Sequence, residues 1–268
     1  MSALLRPMTR AYGLLVRHLL HDKKSRLSEG AFVIEGAHAC LDLIRSSPRT
    51  ILSLIVSARY LQLEDQESRV IRTSVEAAQY SCSDEAFEKL SDVDMPQGIL
   101  AVVQLPRWNE GEVLAQARML GVYGERLQDP TNVGTIIRTA AGLGLSGVWL
   151  SPDSVDCFHP KVVRGTAGSV LSLPVFQNAK LSALSEAGCV LYAAVVSSPE
   201  ACDLRAITEI AHRAIILVGN EGQGLHVASI AASSRKYSIP LVRGIDSLNV
   251  AATAAISAHY FSGLPLAR

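Results

Sequence analysis

The strongest constraint on the fold lies in the second half of the chain. Residues 119–123, 147–150, 190–196 and 214–218 are apolar runs without a charged or polar interruption, a more broken one follows at 237–241, and helical stretches separate them. Strands covered on both faces read as continuous Val/Ile/Leu segments, and helices between them imply βαβ crossovers. The pattern predicts an α/β domain with a parallel sheet. Ligands bind such sheets outside the carboxyl ends of the strands, so chemistry-bearing residues should follow directly after the apolar runs.

Residues 1–105 have a different rhythm. A helical stretch over 11–27 precedes a short strand at 31–34 and an Ala/Leu-rich helix reaching Arg45. Extended apolar runs recur at 51–56, 70–71 and 98–103. This predicts a small αβα sandwich. Hydrophobic residues make up 49% of the chain and aromatics 5%, so both cores must be mainly aliphatic. Leu105-Pro106-Arg107-Trp108-Asn109-Glu110-Gly111 breaks the pattern with Pro and Gly in polar surroundings. The expected domains are therefore 1–105 and 116–268, joined by a linker at 106–115. The second should keep its fold when the first is removed.

Charge and cysteine usage exclude several classes. Twenty-five Lys and Arg balance twenty-five Asp and Glu, so overall charge does not mark a nucleic-acid binder. Locally, Arg6, Arg10, Arg17, Lys23, Lys24 and Arg26 face only Asp22 and Glu29; this cluster suits phosphates or is a solvated amphipathic helix. Five cysteines, an odd number without C-x-x-C spacing, argue against a disulfide frame or zinc site. No metal is expected. No apolar run is long and clean enough to span a membrane. The Arg-containing, acid-poor start has a transit-peptide character, but the core pattern resumes by Ala31, and cytoplasm is expected.

Three loops carry candidate chemistry. After the first run of the second half comes Asp129-Pro130-Thr131-Asn132-Val133-Gly134-Thr135-Ile136-Ile137-Arg138. Asn132 would cap a helix with Val133, Ile136, Ile137 and Ala140 on its buried face. Arg138 would lean back over Gly134 toward the positive helix end. It reads equally as a phosphate or ribose clamp and as an exposed salt-bridging arginine. The second loop, Gly219-Asn220-Glu221-Gly222-Gln223-Gly224, has glycines that permit close backbone approach. Its carboxylate disfavours phosphate and suits a cationic or zwitterionic ligand, unless the segment is only a tight turn. The third includes Ile239-Pro240 and Ser247-Leu248-Asn249-Val250. Ser247 would cap a helix that reaches Phe261 with no Asp, Glu, Lys or Arg. Such a helix must be covered, which suggests a second subunit.

Gly142-Leu143-Gly144-Leu145-Ser146-Gly147 matches G-x-G-x-x-G literally. It follows a helix and precedes a strand, the reverse of dinucleotide-binding order, which disfavours a nucleotide-dependent oxidoreductase.

Together the three loops resemble the motifs of the SpoU/TrmH branch of the SPOUT methyltransferases. The matches fall on Asn132, Gly134, Arg138 and Ala140; on Gly219-Asn220-Glu221-Gly222 and Gly224; and on Ile239-Pro240 with Ser247-Leu248-Asn249-Val250. They cover 116–268. Phe32-Val33-Ile34-Glu35-Gly36 and Gln97-Gly98-Ile99-Leu100-Ala101 resemble the substrate-binding domain often fused ahead. The resemblance implies a C-terminal α/β-knot domain with a deep trefoil knot, pairing of two subunits through the first and last helices of that domain, and S-adenosyl-L-methionine as cofactor. It places Gly219, Asn220, Gly222, Gly224, Ile239, Pro240 and Leu248 around the cofactor. Asn132, Arg138, Glu221, Ser247 and Asn249 would form the reaction centre, with Glu221 ordering the Gly-rich loop and reaching Arg138. Two departures stand out: Val242-Arg243-Gly244 adds a cation that touches RNA or faces solvent, and Val-Ala-Ala follows Asn249 where Val-Ser-Val is usual.

The implied activity is methyl transfer to a ribose 2′-hydroxyl of RNA, with ribosomal RNA, a large-subunit guanosine, preferred. The alternatives are a tRNA methyltransferase and a non-catalytic RNA-binding or ribosome-assembly protein.

Overall fold

A computed structural model describes residues 5–73, 76–196 and 199–267. The chain forms two compact units, Met1–Arg107 with Phe158–Gly168, and Trp108–Cys157 with Ser169–Arg268. The first unit therefore takes in a segment from the middle of the stretch expected to be catalytic.

In the first unit the order is β1 (Leu5–Pro7), α1 (Arg10–His21), α2 (Lys23–Glu29), β2 (Ala31–Glu35), α3 (Ala37–Ser46), β3 (Ile51–Ser57), α4 (Ala58–Leu61), α5 (Gln66–Thr73), β4 (Ala78–Cys82), α6 (Asp84–Glu88) and β5 (Ile99–Gln104). The sheet order is β1-β4-β3-β5-β2. β4 lies parallel to β1 and β3, and β5 is antiparallel to β2 and β3. Strand alternation sorts the core: Ala31, Val33, Leu100 and Val102 join Val16, Leu19 and Leu20 of α1, leaving Phe32 and Ile34 for the other face. There Phe32 meets the Phe158 ring at 5.0 Å.

Three expectations need correction here. The helix expected over 11–27 breaks at Asp22, whose extended backbone ends α1 and whose carboxylate accepts the N–H groups of Lys24 and Ser25 to start α2. Arg26 is not part of a surface cluster. It is buried, and its Nη1 donates to the Leu19 and Leu20 carbonyls at 2.7 and 3.2 Å, at the end of α1. Residues 70–71 are helical, not extended: two apolar residues carry no period, and Asp65 accepts from the Ser68 N–H and hydroxyl to begin α5.

The second unit comprises α7 (Glu110–Leu114), β6 (Met119–Gly124), α8 (Pro130–Gly142) and β7 (Gly147–Leu150). The chain then gives α9 (Pro160–Thr166) to the first unit and returns through β8 (Val175–Phe176), α10 (Leu181–Glu186), β9 (Val190–Ala194), β10 (Cys202–Asp203), β11 (Arg213–Val218), α11 (Val227–Ala232), β12 (Arg235–Ser238) and α12 (Val250–Ser262). All its strand pairs are parallel, in the order β10-β12-β9-β11-β6-β7-β8. Ile215 and Leu217 pack with Tyr123, Trp149 and Leu191 on one face. On the other, α8 and α12 cover β6 and β11. Burial on both faces is why these strands read as unbroken apolar runs. The literal G-x-G-x-x-G spans the end of α8 and the turn into β7, with Gly144 at φ +69°.

No helix among the described residues is long and apolar enough to cross a membrane. The five cysteines are thiols, with no disulfide among them.

Candidate active site

Because the sheet of the second unit is parallel, the chain leaves β6, β11 and β12 at one edge. β6 and β11 are neighbours, with Gly124 opposite Val218, and β9 alone separates β11 from β12. The three motif loops start there.

The first loop enters α8 through Asp129, whose carboxylate accepts the Thr131 N–H at 2.8 Å, with Pro130 at the first helical position. Asn132 is thus not the cap. It is the third residue of α8, its side chain is buried at 6% exposure, and it serves the other loops. Its Nδ2 donates to Glu221 Oε1 at 2.9 Å, and its Oδ1 accepts from Asn249 Nδ2 at 3.0 Å. Asn249, not Ser247, caps α12, accepting the N–H groups of Ala251 and Ala252 at 2.9 and 3.3 Å. One chain of side-chain hydrogen bonds therefore joins a residue from each motif.

The remaining motif residues surround this chain. Arg138 is exposed on α8, and its side chain makes no hydrogen bond or ion pair among the described residues. Glu221 reaches Asn132 rather than Arg138. Ser247 is exposed, two residues ahead of the cap, and Leu248 is half-buried beside it. Ile239 and Pro240 leave the sheet directly after β12, which ends at Ser238. Arg243 and Gly244 both have left-handed backbones, φ 62° and 69°, inside a turn closed by Ile245 N–H to the Val242 carbonyl at 3.4 Å. This turn holds Arg243 in solvent.

The Gly-rich loop owes its shape to its own residues and to two that sequence reasoning missed. A Cβ at Gly219 would lie 2.2 Å from backbone atoms of Gly224 and Leu225, so only glycine fits. Asn220 and Gly224 exchange backbone hydrogen bonds at 3.1 and 2.8 Å, and Asn220 Oδ1 accepts the N–H groups of Gly222 and Gln223. Glu125 is buried and accepts the His226 N–H at 2.6 Å and the Ser229 hydroxyl at 2.5 Å, anchoring the start of α11. Arg126 reaches the loop from the β6 side, donating to Gln223 Oε1 at 2.9 Å and to the Gly224 carbonyl at 3.1 Å. The available signal was a Glu-Arg pair immediately after a buried strand.

The edge suits a ligand bearing both charges. Glu221 supplies a carboxylate. Loop 239–249 supplies backbone N–H groups, of which only that of Ile245 has a partner among the described residues. Nearby, the Tyr123 phenol is pushed up to about 12, first by burial and then by the charges of Glu125 and Asp153. It stays neutral, donates to the Ala179 carbonyl at 3.4 Å and is no proton acceptor. Among the described residues no group of three His, Cys, Asp or Glu side chains is arranged to hold a metal ion.

Residues 119–259 match the model of the SpoU rRNA Methylase family. The chain belongs to the SpoU rRNA methylase family. Residues 17–101 match the MRM3-like substrate binding domain. Among relatives of this SpoU methylase, an uncharacterized tRNA/rRNA methyltransferase of Synechocystis is 34% identical, over 88% of this chain and 86% of its own. The Bacillus subtilis 23S rRNA (guanosine(2553)-2′-O)-methyltransferase RlmP is 31% identical, over 91% and 93%. Among solved structures, AviRb of Streptomyces viridochromogenes, a SpoU methyltransferase in complex with AdoMet, superposes with a TM-score of 0.80 at 25% identity, covering 94% of this chain and 97% of that one. A putative RNA methyltransferase of the TrmH family from Porphyromonas gingivalis gives 0.78 at 26%, covering 95% and 98%.

Proposed function

We propose that this SpoU methylase transfers a methyl group from S-adenosylmethionine to a ribose 2′-hydroxyl of ribosomal RNA, with a large-subunit guanosine as the preferred target. The observation that carries the reading is the Asn249–Asn132–Glu221 chain, which ties all three family motifs together at one sheet edge. The preference for guanosine rests on the likeness to RlmP across nearly the whole of both chains.

When bound, the cofactor supplies a methyl group already activated on a sulfonium sulfur, so the chain's residues need only place the nucleophile and manage its proton. The Gly219–Gly224 backbone and the free N–H groups of 239–248 would hold it, with Glu221 offering a carboxylate to its positive charge. Arg138 has its guanidinium uncommitted at the exposed face of α8. A guanidinium is a hydrogen-bond donor only, so it is no base. It orients the hydroxyl and stabilises the negative charge that develops on it, while the proton passes to a substrate phosphate oxygen. Asn249 is engaged at both ends of its amide, so it positions the loop, and the exposed Ser247 hydroxyl is the better ribose contact.

The chain acts as a homodimer in the cytoplasm, with its C-terminal part threaded as a trefoil knot. The face that would seal the dimer is exposed in the single chain: Ala252, Ile256 and His259 line one side of α12 without a charged residue. The first unit holds RNA, and its exposed cations Arg6, Arg10, Arg17 and Lys24 are available to phosphates.

The test is incubation of ribosomal RNA with radiolabelled S-adenosylmethionine, followed by digestion to nucleosides. Label in 2′-O-methylguanosine is expected. Label confined to methylated bases, or cofactor binding absent while RNA binding persists, would overturn the reading, the latter in favour of a non-catalytic RNA-binding protein.

A further inference from the structure

We infer that Arg126 is a positioning residue for the reaction: it fixes the Gly-rich loop in its cofactor-receiving shape. This rests on the proposed cofactor reading, and neither the motifs nor the relatives assign the residue a role.

The loop needs such a support. Three glycines in six residues leave the unliganded backbone many conformations, and any freedom kept until the ligand arrives is charged against binding. Arg126 removes that freedom from two directions. Its main-chain carbonyl accepts Asn220 Nδ2 at 2.9 Å, and Asn220 Oδ1 in turn gathers the Gly222 and Gln223 N–H groups. Its guanidinium crosses to the far side of the loop, taking Gln223 Oε1 and the Gly224 carbonyl. The loop is held at both its start and its end by one residue.

Arg126 is itself held in an unfavourable backbone. Its φ is 56°, a region that non-glycine residues rarely enter and that costs on the order of 1 kcal/mol. Neighbours keep it there: the Arg126 N–H donates to Ser151 Oγ at 2.8 Å, and the next N–H, of Leu127, donates to Ser154 Oγ at 3.1 Å. Its Nε is buried with no partner, so the side chain is committed to the loop rather than free in solvent. A strained backbone, a main-chain acceptor and a two-pronged donor all act on the same six residues. Lysine keeps the charge but not the fork that spans two acceptors.

The experiment measures S-adenosylhomocysteine binding by calorimetry, and steady-state kinetics with RNA, for wild type, Arg126→Met, Arg126→Lys and Gln223→Ala. We expect Arg126→Met to weaken binding and raise the cofactor KM about tenfold (~1.4 kcal/mol), with kcat at saturating cofactor and the KM for RNA within about threefold of wild type. Arg126→Lys should recover only part of the loss. Gln223→Ala removes one acceptor without disturbing the strained backbone, and should weaken binding about threefold. If Arg126→Met fails to fold, Gln223→Ala decides: unchanged affinity there overturns the inference. So does a folded Arg126→Met with wild-type affinity, or one that loses kcat while its affinity is kept. Wild-type protein that binds no S-adenosylhomocysteine would instead sink the cofactor reading itself.

Discussion

The hydrogen-bond chain across the three motifs permits a quantitative test. Asn132→Ala removes a hydrogen bond to a carboxylate, worth about 1.5–3 kcal/mol, and one between amides, worth about 1 kcal/mol. Both partners can recover: Glu221 and Asn249 are exposed and can turn to water. The loss should therefore fall somewhat below the ~2.5 kcal/mol that the lower figures give, at ~2 kcal/mol in stability. The catalytic loss is of similar size, because the loops would no longer share one geometry, and that is about thirtyfold in kcat/KM. The informative measurement is a double-mutant cycle with Glu221→Ala, read in urea midpoints and again in kcat/KM. Residues in direct contact should show a coupling of ~1 kcal/mol in each. Additivity within ~0.5 kcal/mol in both readouts would refute the claim that the contact organises the site.

Asn132→Asp extends the test to pH. The substitution sets a second carboxylate where the amide donates to Glu221 at 2.9 Å. Two such groups cannot both ionise without repulsion, so one holds a proton at low pH and restores a hydrogen bond. As pH rises that proton is lost and the loops are pushed apart. Relative to wild type, the variant should be more active at pH 6 than at pH 8.5, and the opposite trend would contradict this assignment of donor and acceptor.

Other expectations follow from single features. Burial, reinforced by the Glu35 charge, pushes the Cys40 thiol from 9.0 up to about 12; stability linked to it is intact below pH 9 and lost as pH rises toward 12, at ~1.4 kcal/mol per unit. Cys40→Ala should flatten that alkaline limb, and native protein should leave Cys40 unlabelled by a thiol reagent at pH 8. Ala167 ends α9 at φ 47° and is exposed, so Ala167→Gly should raise stability by about 0.5–1 kcal/mol, visible as a higher melting temperature. Arg138→Ala should abolish methyl transfer and leave S-adenosylhomocysteine affinity within twofold; a parallel loss of affinity would show that Arg138 serves the cofactor.

What the sequence disclosed follows from how locally each feature is encoded. The strands buried on both faces were legible because nothing polar interrupts them, and parallel pairing then located the loops. The edge strands β8 and β10 have two residues each, too few to show a pattern. β4 alternates Ala78, Tyr80 and Cys82 with Gln79 and Ser81, a weakly apolar face, and its one fully buried residue is the polar Gln79. Both cap assignments failed for one reason. Asp129 and Asn132, like Ser247 and Asn249, are all capable caps a few residues apart, and only the position of Pro130 favoured Asp129 beforehand. Of the candidate site, the motif residues were legible as types at spacings. Their mutual contacts were not: Asn132 and Glu221 are 89 residues apart, Arg126 and Gln223 are 97, and no local pattern encodes such pairs.

The same non-locality bears on whether the two units are separable modules. A linker at 106–115 implies one crossing between them, but the chain crosses three times, after Arg107, Cys157 and Gly168. Deleting 1–105 would remove β2, against which α9 packs, together with the Phe32 ring that meets Phe158, while Val162 and Val163 of α9 are exposed by only 0% and 4% in the intact chain. Burying a valine side chain is worth about 1.5–3 kcal/mol, and the seven residues of α9 are too few to hold a helix alone. The truncated chain should therefore open at 158–168, seen as new protease cleavage in that segment and increased binding of a hydrophobic dye. These residues lead from β7, whose following loop supplies Ser151 and Ser154 to the backbone of Arg126 and Leu127, so cofactor affinity should fall as well. A truncated protein that resists cleavage there and binds S-adenosylhomocysteine as tightly as the full chain would show that the catalytic stretch is self-sufficient.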